Sequence, residues 1–194
     1  MRVIGGVLGG RTLVAPRGWK VRPTSDRVRE AIFSALGERV VEATVLDLYC
    51  GTGALAIEAL SRGAERAVLV DRDTRPALGN VERLGLRGRA ELVRSDVGRW
   101  LASATAVPHP GKVPGEDFLP PATPRFDLVF VDAPYRLADR VKEELNQHLP
   151  RVLVPGGRAI IESAARSPLR LDSLEPLRRR RYGAADVCFY GVPA

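Results

Sequence analysis

The chain is poor in the residues that build metal centres and covalent frameworks: its 194 residues include only two cysteines, Cys50 and Cys188, and two histidines, His109 and His148. Two cysteines are too few for a disulfide scaffold or a cysteine-rich zinc site, and two histidines cannot furnish a histidine-rich centre, so no metal is expected. There is no apolar run of the roughly 18 residues that a membrane helix needs. The start, Met1-Arg-Val-Ile-Gly-Gly6, has no apolar stretch with a small-residue cleavage site behind it. Neither membrane insertion nor secretion is therefore expected, and the chain reads as cytoplasmic. Lysine is scarce too, at three of thirty basic residues. A coding bias would explain that scarcity but would scatter arginine evenly along the chain, and the arginines are clustered.

What is present suits one ordinary α/β domain: 45% hydrophobic and 27% charged residues, enough to bury a core. Apolar runs at 44–49, 67–71, 90–93, 126–132 and 158–162 read as buried parallel strands. Helical spacing falls at 53–62, 74–84 and 137–149, so the alternation predicts a doubly wound, mostly parallel sheet with ligands at the carboxyl ends of its strands. Residues 1–38 form an extension: two β-prone runs at 2–6 and 11–15 predict a hairpin, and a helix begins near Pro23-Thr-Ser-Asp26 with Val28, Ile32, Phe33 and Leu36 as its apolar face. Residues 39–194 form the main domain, interrupted by a proline-rich surface loop at 104–125 and closed by a β-hairpin that turns near Gly183.

The formal net charge is +7. Residues 1–30 contribute +5 (seven basic, two acidic) and residues 166–181 contribute +4 (six arginines, two acidic), so the rest sums to −2. Two basic ends on a slightly acidic centre suit a phosphate-bearing partner. Arg22, Arg27 and Arg29 at one end and Arg178, Arg179, Arg180 and Arg181 at the other are the expected contacts with such a partner. The alternative for Arg27 and Arg29 is an ordinary ion pair with Asp26 or Glu30.

The most informative stretch runs from Val45 through Asp47, Tyr49, Cys50, Gly51, Thr52 and Gly53 into Ala56. A strand enters a glycine loop and a helix leaves it, with free helix-terminal N–H groups facing a ligand. Asp71 ends the next strand, 18 residues beyond Gly53, placed to hold ribose hydroxyls. Together they predict an adenosine-containing cofactor. Gly51, Gly53 and Ala56 loosely satisfy a dinucleotide fingerprint, but Asp47 would repel a pyrophosphate and suits the ammonium of S-adenosylmethionine. The alternative for Asp47 is a carboxylate that caps the turn. Arg72, Asp96 and Val97 complete the expected cofactor set, with Asp96 either on the adenine amine or simply an N-cap.

Asp132-Ala133-Pro134-Tyr135 closes the fourth strand and resembles the Asp/Asn-Pro-Pro-Tyr motif of methyltransferases that act on planar amines. Such an amine is a poor nucleophile because its lone pair is delocalised into the ring. Acceptors for its two N–H groups, here Asp132 and the carbonyl of Ala133, would free the lone pair, and Tyr135 would stack on the base. The motif's first proline is alanine here; the carbonyl remains, and what is lost is the fixed φ.

With these segments, Arg2-Val-Ile-Gly-Gly6, Arg22-Pro-Thr-Ser-Asp-Arg-Val-Arg-Glu-Ala-Ile-Phe33, Leu46 to Leu55 and Glu58-Ala-Leu-Ser-Arg-Gly-Ala64, the chain resembles the type D bacterial guanine-N2 methyltransferases of 16S ribosomal RNA. The resemblance implies a class I, Rossmann-like fold, S-adenosylmethionine as donor and a guanine in 16S RNA within a partly assembled small ribosomal particle. A monomer is expected. Two other readings stay open: an adenine-N6 DNA methyltransferase, and an RNA-binding assembly factor of weakened activity.

Overall fold

The computed structural model describes residues 1–15, 25–106, 124–134 and 138–192. Seven strands form one sheet: β1 (Thr44–Leu48), β2 (Arg66–Asp71), β3 (Ala90–Arg94), β4 (Phe126–Asp132), β5 (Leu153–Ala164), β6 (Glu175–Tyr182) and β7 (Ala185–Gly191). Their order is β3-β2-β1-β4-β5-β7-β6, parallel as far as β5, with β7 antiparallel to β5 and β6 antiparallel to β7. The order reverses between β1 and β4, which opens a crevice at their carboxyl ends.

Helices cover both faces, as near-continuous apolar strands require. On one face, α1 (Asp26–Leu36), α2 (Ala54–Ser61) and α3 (Arg75–Arg83) pack on Val45, Leu69, Phe130 and Ile160. On the other, α4 (Val97–Ala104) and α5 (Ala138–Val152) pack on Leu46, Leu48, Val129, Val131 and Ile161. The alternation of β4 and β5 residues between these two clusters fixes which of their side chains share a face.

Three local expectations change. Among the described residues the extension makes a single antiparallel bridge, Arg2 to Thr12, flanked by bonds such as Val3 N to Arg11 O at 2.9 Å, and no regular strands. Helix α4 was foreshadowed only by Asp96 as a possible N-cap, because its short apolar pattern contains Gly98 and lies beside the proline-rich stretch. Residues 107–123 of that stretch lie outside the described residues. Strand β5 starts five residues early, at Leu153, with a register break opposite Phe126–Leu128.

Helix α1 starts where the sequence placed it, with the Ser25 hydroxyl accepting from Val28 N at 3.3 Å. Its apolar face is the expected one, with one correction. Arg29 was expected to contact RNA, yet it is fully buried, its Nη2 donating to Asp26 Oδ1 at 2.9 Å and also to the Arg2 carbonyl. Spaced four and seven residues ahead of Phe33 and Leu36, it falls on the buried stripe of the helix. Its guanidinium ties the arm to α1. Arg27 is exposed, and Arg22 lies outside the described residues.

Among the described residues no helix is long and apolar enough to cross a membrane, and no cluster of His, Cys, Asp or Glu could hold a metal ion.

Candidate functional site

Past β1 the backbone turns sharply: Tyr49 has φ 62°, Gly51 φ 54° and Gly53 φ 76°. A left-handed tyrosine is uncommon and costs of order 1 kcal/mol or more, so surrounding bonds must hold it. They do: Tyr49 N and Cys50 N both donate to the Val70 carbonyl, at 3.0 and 3.3 Å. Burial, then the Glu144 and Asp96 carboxylates, push the Tyr49 hydroxyl pKa upward. Cys50 is buried, with its thiol pKa also raised by burial, so it packs and does not react.

Gly53 is required for a reason the sequence did not show. A Cβ there would lie 2.9 Å from Leu69 Cδ2 and 3.3 Å from the Ala77 methyl, so β2 and α3 behind the loop demand a glycine. Gly51 is held by a side chain: its N–H donates to Asp71 Oδ2 at 3.0 Å, while Asp71 Oδ1 accepts from Asp73 N at 3.0 Å. Asp71 is half-buried at the carboxyl end of β2, with both oxygens accepting from backbone N–H groups.

Asp47 is buried beneath the loop, with Oδ2 accepting from Ala56 N at 3.1 Å. The structure therefore shows the turn-capping role that stood as the alternative. Burial pushes its pKa up to about 8; the Ala56 bond opposes that rise, and the charges of Asp132 and Asp71 add to it. This arrangement bears on the choice of ligand. An N-terminal N–H of α2 that would greet a pyrophosphate is already taken by a carboxylate, so a cationic or hydroxyl-bearing ligand is favoured over an anionic one.

Asp96 is likewise an N-cap, accepting from Arg99 N at 3.1 Å at the start of α4, and Val97 behind it is buried. The carboxylate also pairs with Arg72 (Nε to Oδ2, 3.1 Å) and with Arg140 of α5 at 3.3 Å, and the Arg72 bond holds its pKa below the ordinary range. Arg140 in turn holds Glu144 at 2.7 Å. This chain of charges joins β2, α4 and α5 along one wall of the crevice. Thr52 is buried.

Asp132 ends β4 next to β1, with Ala133 buried and Pro134 half-buried after it; Tyr135 lies outside the described residues. Asp132 is close enough to Asp47 for its charge to be felt there, so the glycine loop and the Asp-Ala-Pro segment face one crevice.

The second basic end forms β6, an edge strand exposed on both faces. Arg178, Arg179, Arg180 and Arg181 are all exposed, more than the one outward pair that strand alternation guaranteed. Arg179 is committed to buried Asp186 at 2.7 Å, and among the described residues the other three form no ion pair.

Two residues that tie the extension to the site carried no assigned role in the sequence. Glu58, fully buried in α2, accepts from Ile4 N at 2.7 Å, Gly5 N at 2.9 Å and Arg62 Nε at 2.7 Å. Asn80 of α3 donates to the carbonyls of Val14 and Thr52, both at 3.0 Å, and accepts from Val14 N at 2.8 Å, so it links the end of the arm to the glycine loop. The signal was available for Glu58, a single charge in the otherwise apolar Ala54-Leu-Ala-Ile-Glu-Ala-Leu60. Asn80 sits in a polar-looking helix and left none.

A family model described as conserved hypothetical protein 95 matches residues 1–110. Ribosomal RNA small subunit methyltransferase D of Escherichia coli is 36% identical over 138 residues, 70% of this chain and 61% of that one. The chain spans about three fifths of the length of curated relatives such as this one. The solved structure of a hypothetical protein of Thermus thermophilus, TTHA0928, superposes with TM-score 0.78 at 29% identity, covering 99% of each chain. An RNA methyltransferase from Salinibacter ruber, solved with S-adenosyl-L-homocysteine, superposes with TM-score 0.62 at 17% identity over 89% of this chain and 94% of that one. The fold is thus the Rossmann-like fold of class I methyltransferases.

Proposed function

Because the chain belongs to the conserved hypothetical protein 95 family, we propose that it transfers a methyl group from S-adenosylmethionine to the exocyclic N2 of a guanine in 16S ribosomal RNA, during cytoplasmic assembly of the small ribosomal particle. The observation that carries the reading is the pairing of two carboxylate-lined features in one crevice: the glycine loop, underlain by Asp47 and rimmed by Asp71, and the Asp132-Ala133 acceptor pair at the end of β4.

The residues present fit the donor. Asp71 would hold the ribose hydroxyls, the wall from Arg72 to Val97 would flank the adenine, and the buried Asp47 carboxyl, ionised on binding, would face the methionine ammonium. Bound there, S-adenosylmethionine supplies an electrophilic methyl carbon on a sulfonium. Asp132 and the Ala133 carbonyl accept the two N2–H bonds, which draws nitrogen toward tetrahedral geometry and turns its lone pair out of the ring. The Asp132 carboxylate then takes the departing proton, and Tyr135 holds the base by stacking.

Nucleoside mass spectrometry of RNA and DNA from cells lacking the gene tests this. The expected result is loss of 2-methylguanosine from 16S RNA alone. Loss of 6-methyladenine from DNA, or no change in any methylated nucleoside, would refute it.

Asp47 provides a pH test with a definite sign. With its pKa raised to about 8 in the free chain, it is mostly protonated at neutral pH. A neighbouring ammonium favours the ionised form, so donor binding should release a proton below about pH 8, and affinity should rise as pH goes from about 6 to 8. Calorimetry in buffers of different ionisation enthalpy reads that proton directly. An unchanged heat across buffers would place the ammonium elsewhere.

The arginine edge supplies the RNA contacts. Changing Arg178, Arg179, Arg180 and Arg181 to glutamine should leave donor affinity intact. It should flatten the log-log salt dependence of 30S binding by roughly two to three units, one for each arginine free to meet a phosphate. Filter binding across a salt series would show an unchanged slope if β6 is only a solvated edge.

A further inference from the structure

The sheet register puts a second carboxylate beside Asp132. Glu162 near the end of β5 is its direct partner across the β4–β5 pair, in a sheet whose neighbouring strands run about 4.8 Å apart. Both follow by two residues a member of the same core cluster, Phe130 and Ile160, so both belong to the face that carries α1 and α2. Glu162 is 9% exposed, follows the apolar run Ala159-Ile-Ile161, and shares with Ala133 and Pro134 the wall of a small cavity of about 30 Å³ at the carboxyl end of the sheet. A carboxylate is costly to bury at the end of an apolar strand, and this one stands in register with Asp132.

We propose that Glu162 selects the base, accepting the N1–H of guanine while Asp132 and the Ala133 carbonyl accept the two N2–H bonds. This rests on the guanine methyltransferase reading above and deepens it. Guanine offers three N–H bonds along one edge, and the ends of β4 and β5 offer three acceptors. Adenine also carries an exocyclic amine, but its N1 is a bare acceptor, which would set lone pair against lone pair at Glu162. The acceptor pair on β4 serves any planar amine; the residue on β5 distinguishes between them. A site built around a hydrogen bond rejects an analogue that lacks it far more strongly than apolar shape can.

The probe is 2,6-diaminopurine, which keeps the reacting 2-amino group and removes N1–H. The acceptor guanosine is mapped by mass spectrometry after labelled methyl transfer by the full chain, then replaced by diaminopurine riboside in a ligated RNA. Single-turnover transfer by the parent should favour guanine by about a hundredfold or more. Glu162→Gln, whose amide can accept from N1–H through its oxygen or donate to a bare N1 through its nitrogen, should keep part of the transfer to guanine, gain transfer to diaminopurine and move the ratio by about tenfold or more, with donor affinity and melting temperature at parent values. Equal use of both bases by the parent would overturn the inference without any variant. So would an unchanged ratio in Glu162→Gln, or an equal loss on both bases by a folded, donor-binding variant, since that describes general positioning. If the parent methylates no guanine N2 in RNA, the proposed function itself fails, a result distinct from a parent that methylates guanine without discriminating.

Discussion

Asp132→Ala should reduce single-turnover methyl transfer to 30S RNA by about a hundredfold or more, the usual worth of a positioned proton acceptor, with donor affinity unchanged. The reason is where Asp132 stands. It ends the strand next to β1, so in the proposed reaction it would meet the acceptor amine in the crevice, whereas the donor would be held from the far side by Asp71 and the loop. Removing the carboxylate takes away one of the two acceptors that orient the amine and the group that receives its proton. Both effects fall on the chemical step. Rapid-quench transfer of labelled methyl, paired with calorimetry of donor binding, separates the two quantities. Transfer at the parent rate would dismiss Asp132 from the reaction, and a matching loss of donor affinity would move it into the donor site.

Glu58→Ala should be the most destabilising single change among the contacts that dock the extension, lowering the unfolding free energy by about 3 to 5 kcal/mol. The carboxylate is 0% exposed and takes three donors at 2.7 to 2.9 Å, two of them backbone N–H groups of the arm. Alanine would leave Ile4 N, Gly5 N and the Arg62 guanidinium without their acceptor, and would open space inside α2. Against the roughly 5 to 15 kcal/mol that ordinarily separates folded from unfolded chains, a loss of that size should be plain in a denaturant titration. Residues 1–15 should become protease-sensitive before the sheet unfolds, because the bonds lost are those that dock the arm on α2. Glu58→Gln keeps one acceptor oxygen and should lose less. Parent-like stability in Glu58→Ala would mean that Arg29 on the Arg2 carbonyl, Asn80 on Val14, the Ser61 hydroxyl that accepts from Leu8 N at 2.9 Å, and the apolar contacts of Val3 and Leu13 suffice to hold the arm.

The same latch has a functional consequence. The arm ends at Val14 on Asn80, and Asn80 also holds the Thr52 carbonyl of the glycine loop. Val14 is thus tied, through one amide, to the loop that would carry the donor.

How far the residues alone could reach follows from the range of the forces involved. Periodicity and turn chemistry act over a few residues, so β1 to β4, the helices at 54–61 and 75–83, the Ser25 cap and the hairpin near Gly183 were all readable one segment at a time. The glycine loop and the Asp-Ala-Pro segment were readable for the same reason, each being a local run at a strand end. Arg29 marks the boundary. Its charge predicted solvent, but its place in the helical period put it on the stripe that α1 buries, and only the docked arm supplied the Arg2 carbonyl that makes such burial tolerable. Asp47 marks it again: adjacency to the loop could not say whether the carboxylate faces a ligand or a backbone N–H, and the approach of α2 decided for Ala56 N. Glu162 was invisible until β5 was aligned on β4, because 30 residues separate it from Asp132 and only the register sets them side by side. The sequence by itself determined the elements, the order of its motifs and the charge at its two ends. The tertiary structure decided which polar groups were consumed in holding those elements together and which were left facing the crevice, because a hydrogen-bond partner distant in the chain is chosen by packing and leaves no local pattern.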